Sequence, residues 1–113
     1  ACAVLACLAP SCKTWAKIPE HTVTIVADSQ VKKGGDFSFC VTLKDNNGAQ
    51  VYKAKYQYKI NWAGLEGSTH KAESGIYEKI RVKGAQGKAT LQVLGYDAQD
   101  NFGVIATHTF QVD

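Results

Sequence analysis

From residue 22 onward the apolar positions recur with a period of two, the spacing of strands with one buried face and one wet face. No stretch carries a helical stripe. Residues 22–26 are a short β-branched run, and Lys32-Lys33-Gly34-Gly35-Asp36 is a turn cluster. Over residues 37–44 the odd positions Phe37, Phe39, Val41 and Leu43 are apolar, while Ser38, Cys40, Thr42 and Lys44 take the wet face. Asp45-Asn46-Asn47-Gly48 then turns the chain, because Asn and Gly tolerate positive φ.

The clearest strand covers residues 51–62. Tyr52, Ala54, Tyr56, Tyr58, Ile60 and Trp62 share its core face, and Lys53, Lys55, Gln57, Lys59 and Asn61 share the other. Gly64, Gly67 and Ser68 end it. A weaker strand is expected at residues 68–72, and a further one at 76–83 with Ile80 and Val82 inward. Gly84-Ala85-Gln86-Gly87 reads as a turn into residues 88–96, where Ala89, Leu91 and Val93 face the core. After a polar turn at 97–103, residues 104–112 close the domain with Val104, Ala106, His108, Phe110 and Val112 on one side. About seven strands at this spacing predict an all-β, antiparallel two-sheet sandwich.

The chain of 113 residues is long enough for one core and too short for two. Lys and Arg number 13 against 10 Asp and Glu, a net charge of +3 that excludes nucleic-acid binding without a concentrated basic patch. No apolar run reaches the roughly 20 residues that span a bilayer as a helix.

Charge is distributed unevenly. Residues 1–12 read Ala-Cys-Ala-Val-Leu-Ala-Cys-Leu-Ala-Pro-Ser-Cys, and every charged residue follows Cys12. Such a step marks a processing boundary more often than a fold boundary. It divides the chain into an apolar segment at 1–12 outside the sandwich, a tether at 13–20 and a domain at 21–113. The first segment resembles the trailing half of a secretory signal, and more closely a bacterial lipoprotein signal, in which a small-residue tetrapeptide ends in the acylated cysteine. Val4-Leu5-Ala6-Cys7 fits that tetrapeptide better, but Cys12 stands where the polar chain begins, and this position favours Cys12 for lipid attachment. The resemblance implies export to a bacterial cell envelope and a membrane partner reached through a lipid anchor. Stable anchoring would need more than one acyl chain. An apolar strand or helix packed on the domain is the alternative; a zinc site is disfavoured by the loose cysteine spacing and the lack of a nearby histidine.

A second resemblance concerns the body of the chain. Gly35-Asp36-Phe37-Ser38-Phe39-Cys40-Val41-Thr42-Leu43-Lys44, continuing through Asp45-Asn46-Asn47-Gly48 to Val51, is similar to the second strand and turn of bacterial immunoglobulin-like modules. Gly87-Lys88-Ala89-Thr90-Leu91-Gln92-Val93-Leu94-Gly95-Tyr96-Asp97-Ala98 and Thr107-His108-Thr109-Phe110-Gln111-Val112 resemble their last two strands. The resemblance implies an immunoglobulin-like fold over residues 22–113 and says little about activity. Cys40 departs from the antibody pattern: it lies on the polar face, and no later strand carries a cysteine to pair with it.

No catalytic constellation assembles. The serines and threonines occupy no strand–turn–helix elbow, and the glycine pairs join strands rather than opening a helix. His21, His70 and His108 are scattered; His108 shares a face with Phe110 and is expected to be a core histidine bonded to backbone. Cys40, with only Lys44 as a cation on its face, is expected to be inert. The candidate ligand surface is Lys53, Lys55 and Lys59, which would attract an acidic glycan or anionic headgroups, or simply guard an exposed strand against aggregation. Asp97, Asp100 and Asn101 lack the ordered spacing of a calcium loop and read as an Asx turn. Trp62 is expected in the core. Trp15, in the tether, is left between the domain edge and a membrane interface.

These features favour a non-catalytic envelope module for adhesion, spacing or presentation, with no cofactor and an envelope glycan or protein as partner. The alternative is a small carbohydrate-binding domain that stacks sugar on exposed rings. Exposure of Tyr52, Tyr56, Tyr58 and Trp62 separates the two.

Overall fold

A computed structural model describes residues 14–18, 20–51 and 54–113. Cys7, Cys12, Tyr52 and Lys53 lie outside the described residues, as does the whole of the 1–12 segment. The described chain forms β1 (Thr14–Trp15), β2 (Thr22–Ala27), β3 (Gln30–Val31), β4 (Asp36–Lys44), β5 (Ala54–Ala63), β6 (Leu65–Glu73), β7 (Tyr77–Arg81), β8 (Ala85–Tyr96) and β9 (Phe102–Val112), with no helix among them. One sheet has three antiparallel strands in the order β2-β4-β7. The other has six: β1-β5-β8-β9-β3, with β6 on the free side of β5. The fold is therefore all-β with two sheets, compatible with a sandwich.

The alternation of the sequence sets the core. Phe37, Phe39, Val41 and Leu43 of β4 are fully buried against Ala54, Tyr56, Tyr58, Ile60 and Trp62 of β5 and Ala89, Leu91 and Val93 of β8, in one shared cluster. Phe37 stacks on Phe110 with ring centroids 3.9 Å apart. Stacked rings add about 0.5–1.5 kcal/mol to the burial itself.

Several expectations are corrected. The Gly84–Gly87 turn is shorter than expected, because β8 already starts at Ala85: Ala63 pairs with Ala85 and Gly87 with Val112. Ladder partners on both sides hold these residues extended, where local glycine chemistry alone suggests a bend. In β9 the expected face is broken by a bulge. Val93 pairs with Ala106 but Leu94 with Val104, so Ile105 is the extra residue. Its insertion reverses the alternation. Ile105 packs against the core and Val104 is 48% exposed. Cys40 faces away from the core as expected, yet it is only 8% exposed. It sits on the central strand in register with Val26 and Tyr77, whose larger side chains flank it. Its thiol is free, 3.9 Å from the Thr42 hydroxyl.

Residues 14–18, expected as part of a tether, run along the sheet. Thr14 and Trp15 pair in parallel with Ala54 and Lys55, and Lys17 bridges to Tyr96. Ala16 is wholly buried; its N–H donates to Lys55 O at 2.7 Å and its carbonyl accepts from Tyr96 N–H at 2.8 Å. The segment thus fills the gap where β5 and β8 part. Trp15 meets Phe102 edge-on at 6.3 Å, so the indole packs on the domain edge.

Candidate functional site

The two sheets differ in width, and this positions the site. β6 is an edge strand of the six-stranded sheet and β7 an edge strand of the three-stranded one, and the inner face near β6 is left open. Of the nine residues of β6 only Ala72 is buried. The uncovered strip is a groove of about 600 Å³ between the β6 and β7 edges. Tyr58, Ile60 and Trp62 contribute to its lining from β5, with Leu65 from β6 and Ile80 from β7. Lys79, Arg81 and Lys83 line the β7 side, and Glu66, Ser68 and His70 the β6 side.

Local chemistry holds this shape. β5 and β6 are joined at Gly64 in a tight hairpin, and the register slips between Lys59 and Asn61. Gly67 lies against that slip: a Cβ there would sit 2.1 Å from the Ile60 carbonyl oxygen. Only glycine allows the strands to approach so closely. Leu65 stays 47% exposed at the turn, an apolar side chain presented to the groove. The Tyr58 ring lies edge-on to Phe39 at 5.0 Å and tilted to His70 at 5.3 Å. Burial, reinforced by the negative charge of Glu78, raises the Tyr58 phenol above its usual range. His70 Nε2 is 3.3 Å from Ser68 Oγ.

On the opposite face of the wide sheet, the expected lysine surface takes a different form. Lys59 is paired with the Glu66 carboxylate, and the hydrogen bond and charge of that lysine lower the Glu66 pKa. Lys55 is half-buried. Lys59 is therefore charge-compensated, and the cations lining the groove are Lys79, Arg81 and Lys83. Arg81 stands 3.7 Å from Asp36, a long and exposed pair; Lys79 and Lys83 have no carboxylate within 4 Å among the described residues.

The remaining candidates are occupied by structural contacts. His108 Nε2 lies 3.0 Å from the Asp28 carbonyl, with the ring stacked beside Phe37 and Phe110. His21, buried, accepts the Lys17 N–H at Nδ1. Asp97 Oδ1 accepts from the Gln99 and Asn101 amides, an Asx turn, while Asp100 binds Lys17 at 2.8 Å. That contact with Asp100, together with Glu20, raises the Lys17 pKa. Among the described residues no cluster of His, Cys, Asp or Glu is placed to hold a metal ion, and no helix is long and apolar enough to cross a membrane.

Tyr56, Tyr58 and Trp62 are 0%, 5% and 7% exposed, so none of the three is an open stacking platform. The groove residues Leu65, Lys79, Arg81 and Lys83 were not singled out as a site from sequence. The alternating cations were visible there, but their meeting with Leu65 depends on which strands share a sheet. No known protein family matches the chain, and a comparison with curated proteins gives no significant match.

Proposed function

We propose that this chain is a non-catalytic binding module of immunoglobulin-like build, working at a bacterial cell envelope. The strand order supports the build: β2, β4 and β7 form one sheet while β6, β5, β8 and β9 form the other, the partition of an immunoglobulin-like sandwich with an added edge strand. The observation that carries the binding role is the groove, with apolar side chains inside and cations along one side. Concave apolar surface with a few convergent polar groups is the usual form of a ligand site.

Trp62 reports on occupancy, because it lines the groove and Trp15 is the only other indole. In a Trp15→Phe background, purified envelope components (peptidoglycan fragments, anionic vesicles, acidic peptides) are titrated while Trp62 emission is followed. A saturable change that Leu65→Lys abolishes supports the role. Binding unaffected by Leu65→Lys, or no binding at all, removes it.

The envelope location rests on the lipoprotein-like segment and Cys12. One residue, Lys13, separates Cys12 from Thr14, so the two steps span at most about 7 Å of chain. With Thr14 and Trp15 paired to β5, an acyl group on Cys12 would seat the Trp15–Phe102 end of the sheet directly on the bilayer. Intact mass after expression with the full native signal tests it. A lipid-sized addition on a chain starting at Cys12 agrees, and an unmodified product refutes it.

A further inference from the structure

The outer edge of β7 is an open hydrogen-bonding ladder. Val82 N–H donates to Gly35 O at 2.9 Å, and β7 pairs in the same register with β4, Ile80 opposite Phe37 and Glu78 opposite Phe39. In an antiparallel pair the peptide groups alternate between the partner and the outside. Those of Glu78, Ile80 and Val82 therefore face β4, and those of Tyr77, Lys79 and Arg81 face away from it. β7 is the edge strand of its sheet, paired with β4 alone, and none of these three residues has a turn or loop backbone hydrogen bond to another segment among the described residues. The same edge borders the groove.

We propose that this edge takes an extended acidic peptide as an added antiparallel strand, resting on the groove-binding role above and naming its partner. Strand addition draws affinity from main-chain bonds and specificity from alternate side chains. The alternation here is explicit. Lys79, Arg81 and Lys83 are exposed along one line, whereas Ile80 and Val82 turn inward, Ile80 onto the groove. A strand lying beside them is matched by acidic residues opposite the three cations and apolar residues opposite Ile80 and Val82, the latter entering the groove beside Leu65. A second copy of the edge is a poor occupant. Antiparallel self-pairing centred on Lys79 puts lysine against lysine, and like charges directly opposite are destabilising. Cations on an open edge in this way refuse identical strands while leaving acidic ones acceptable.

The test uses the full chain and four peptides of equal length: alternating Asp/Val, the same with Lys for Asp, a block-sequence scramble of the Asp/Val peptide, and the Asp/Val peptide N-methylated at alternate residues. The alternating acidic peptide is expected to bind, shift Trp62 emission and slow amide exchange at Tyr77, Lys79 and Arg81. The other three should bind at least about tenfold more weakly, and Lys79→Glu with Arg81→Glu should reverse the preference between Asp and Lys peptides by roughly tenfold. Equal binding of acidic and basic peptides, indifference to N-methylation, or unchanged exchange in β7 overturns the proposal. If another ligand shifts Trp62 while the acidic peptide does not, the strand-addition proposal falls and the groove role stands; if nothing shifts it, both fall.

Discussion

Gly95→Ala tests whether the N-terminal segment is part of the sheet. A Cβ at this position would lie 2.6 Å from Ala16 O, 2.8 Å from Ile105 Cδ1 and 3.0 Å from Ala16 Cβ. Ile105 can turn its terminal methyl away, but the Ala16 carbonyl is backbone and already accepts the Tyr96 N–H. Two responses are open to the protein. If the segment holds, the overpacking strain costs about 1–3 kcal/mol. If it detaches, the bonds Ala16 N–H to Lys55 O, Tyr96 N–H to Ala16 O and Ile18 N–H to Tyr96 O are lost. At about 1 kcal/mol each, with about 0.8 kcal/mol for the buried Ala16 methyl, that response costs about 4 kcal/mol. The cheaper response prevails, so the expected loss is about 1–3 kcal/mol in urea denaturation. Hydrogen exchange separates the cases: detachment exposes the Ala16, Ile18 and Tyr96 amides while Leu91 and Val93 stay protected. Gly103→Ala is the control, since nothing lies within 4 Å of its added Cβ, and it should stay within about 0.5 kcal/mol of the parent. A Gly95→Ala protein as stable as that control, with Ala16 and Tyr96 still protected, would refute the docked segment.

Phe37→Ala should cost about 3–5 kcal/mol, because the ring is fully buried and stacks on Phe110; a loss below about 1 kcal/mol in denaturant titration contradicts that packing. Cys40→Ser should cost about 1–3 kcal/mol by placing a hydroxyl in a site only 8% exposed, and Cys40 should react with a thiol reagent at the rate of unfolding; immediate labelling of native protein would mean an open thiol. Alkali should destabilise the fold. Burial first, then the charge of Glu78, raises the Tyr56 and Tyr58 phenols, so above pH ~10 the unfolded chain releases protons that the folded one keeps. Their contribution is complete below that pH and falls by at most about 1.4 kcal/mol per pH unit per tyrosine above it; denaturation midpoints unchanged between pH 9 and 11 would contradict this.

The alternation visible in the sequence carries over wherever a strand has one buried face and unbroken register. Phe37 to Leu43 and Ala54 to Trp62 lie as their spacing predicts. The pattern fails where a non-local partner changes the phase. Ile105 and Val104 exchange faces because β8 accepts one extra residue from β9, and nothing in the residues 104–112 themselves announces this. Thr14 and Trp15 become a strand only because β5 and β8 leave room beside them, a space made by residues some forty and eighty positions away in sequence. Cys40 shows the limit of a two-state reading. It points outward as predicted and is buried all the same, since on a central strand the neighbours decide exposure as much as the direction.

The groove has the same origin in sheet width. β6 alternates poorly in sequence, with Ser68, Thr69, His70 and Lys71 in its middle, and such a run resembles loop as much as strand. Its polarity follows from its position: a strand at the edge of a six-stranded sheet, opposite a three-stranded one, has no layer above it to reward apolar side chains. β5, one strand further in, is covered by β4 and β7 and keeps its aromatic face. The border between covered and uncovered strips therefore falls between Tyr58, Ile60 and Trp62 on one side and Ser68 and His70 on the other. Widening the narrow sheet by one strand beside β7 would cover that border. The open ladder of Tyr77, Lys79 and Arg81 and the empty strip beneath it are thus two views of one missing neighbour, and the cations along the edge specify the charge that neighbour must carry.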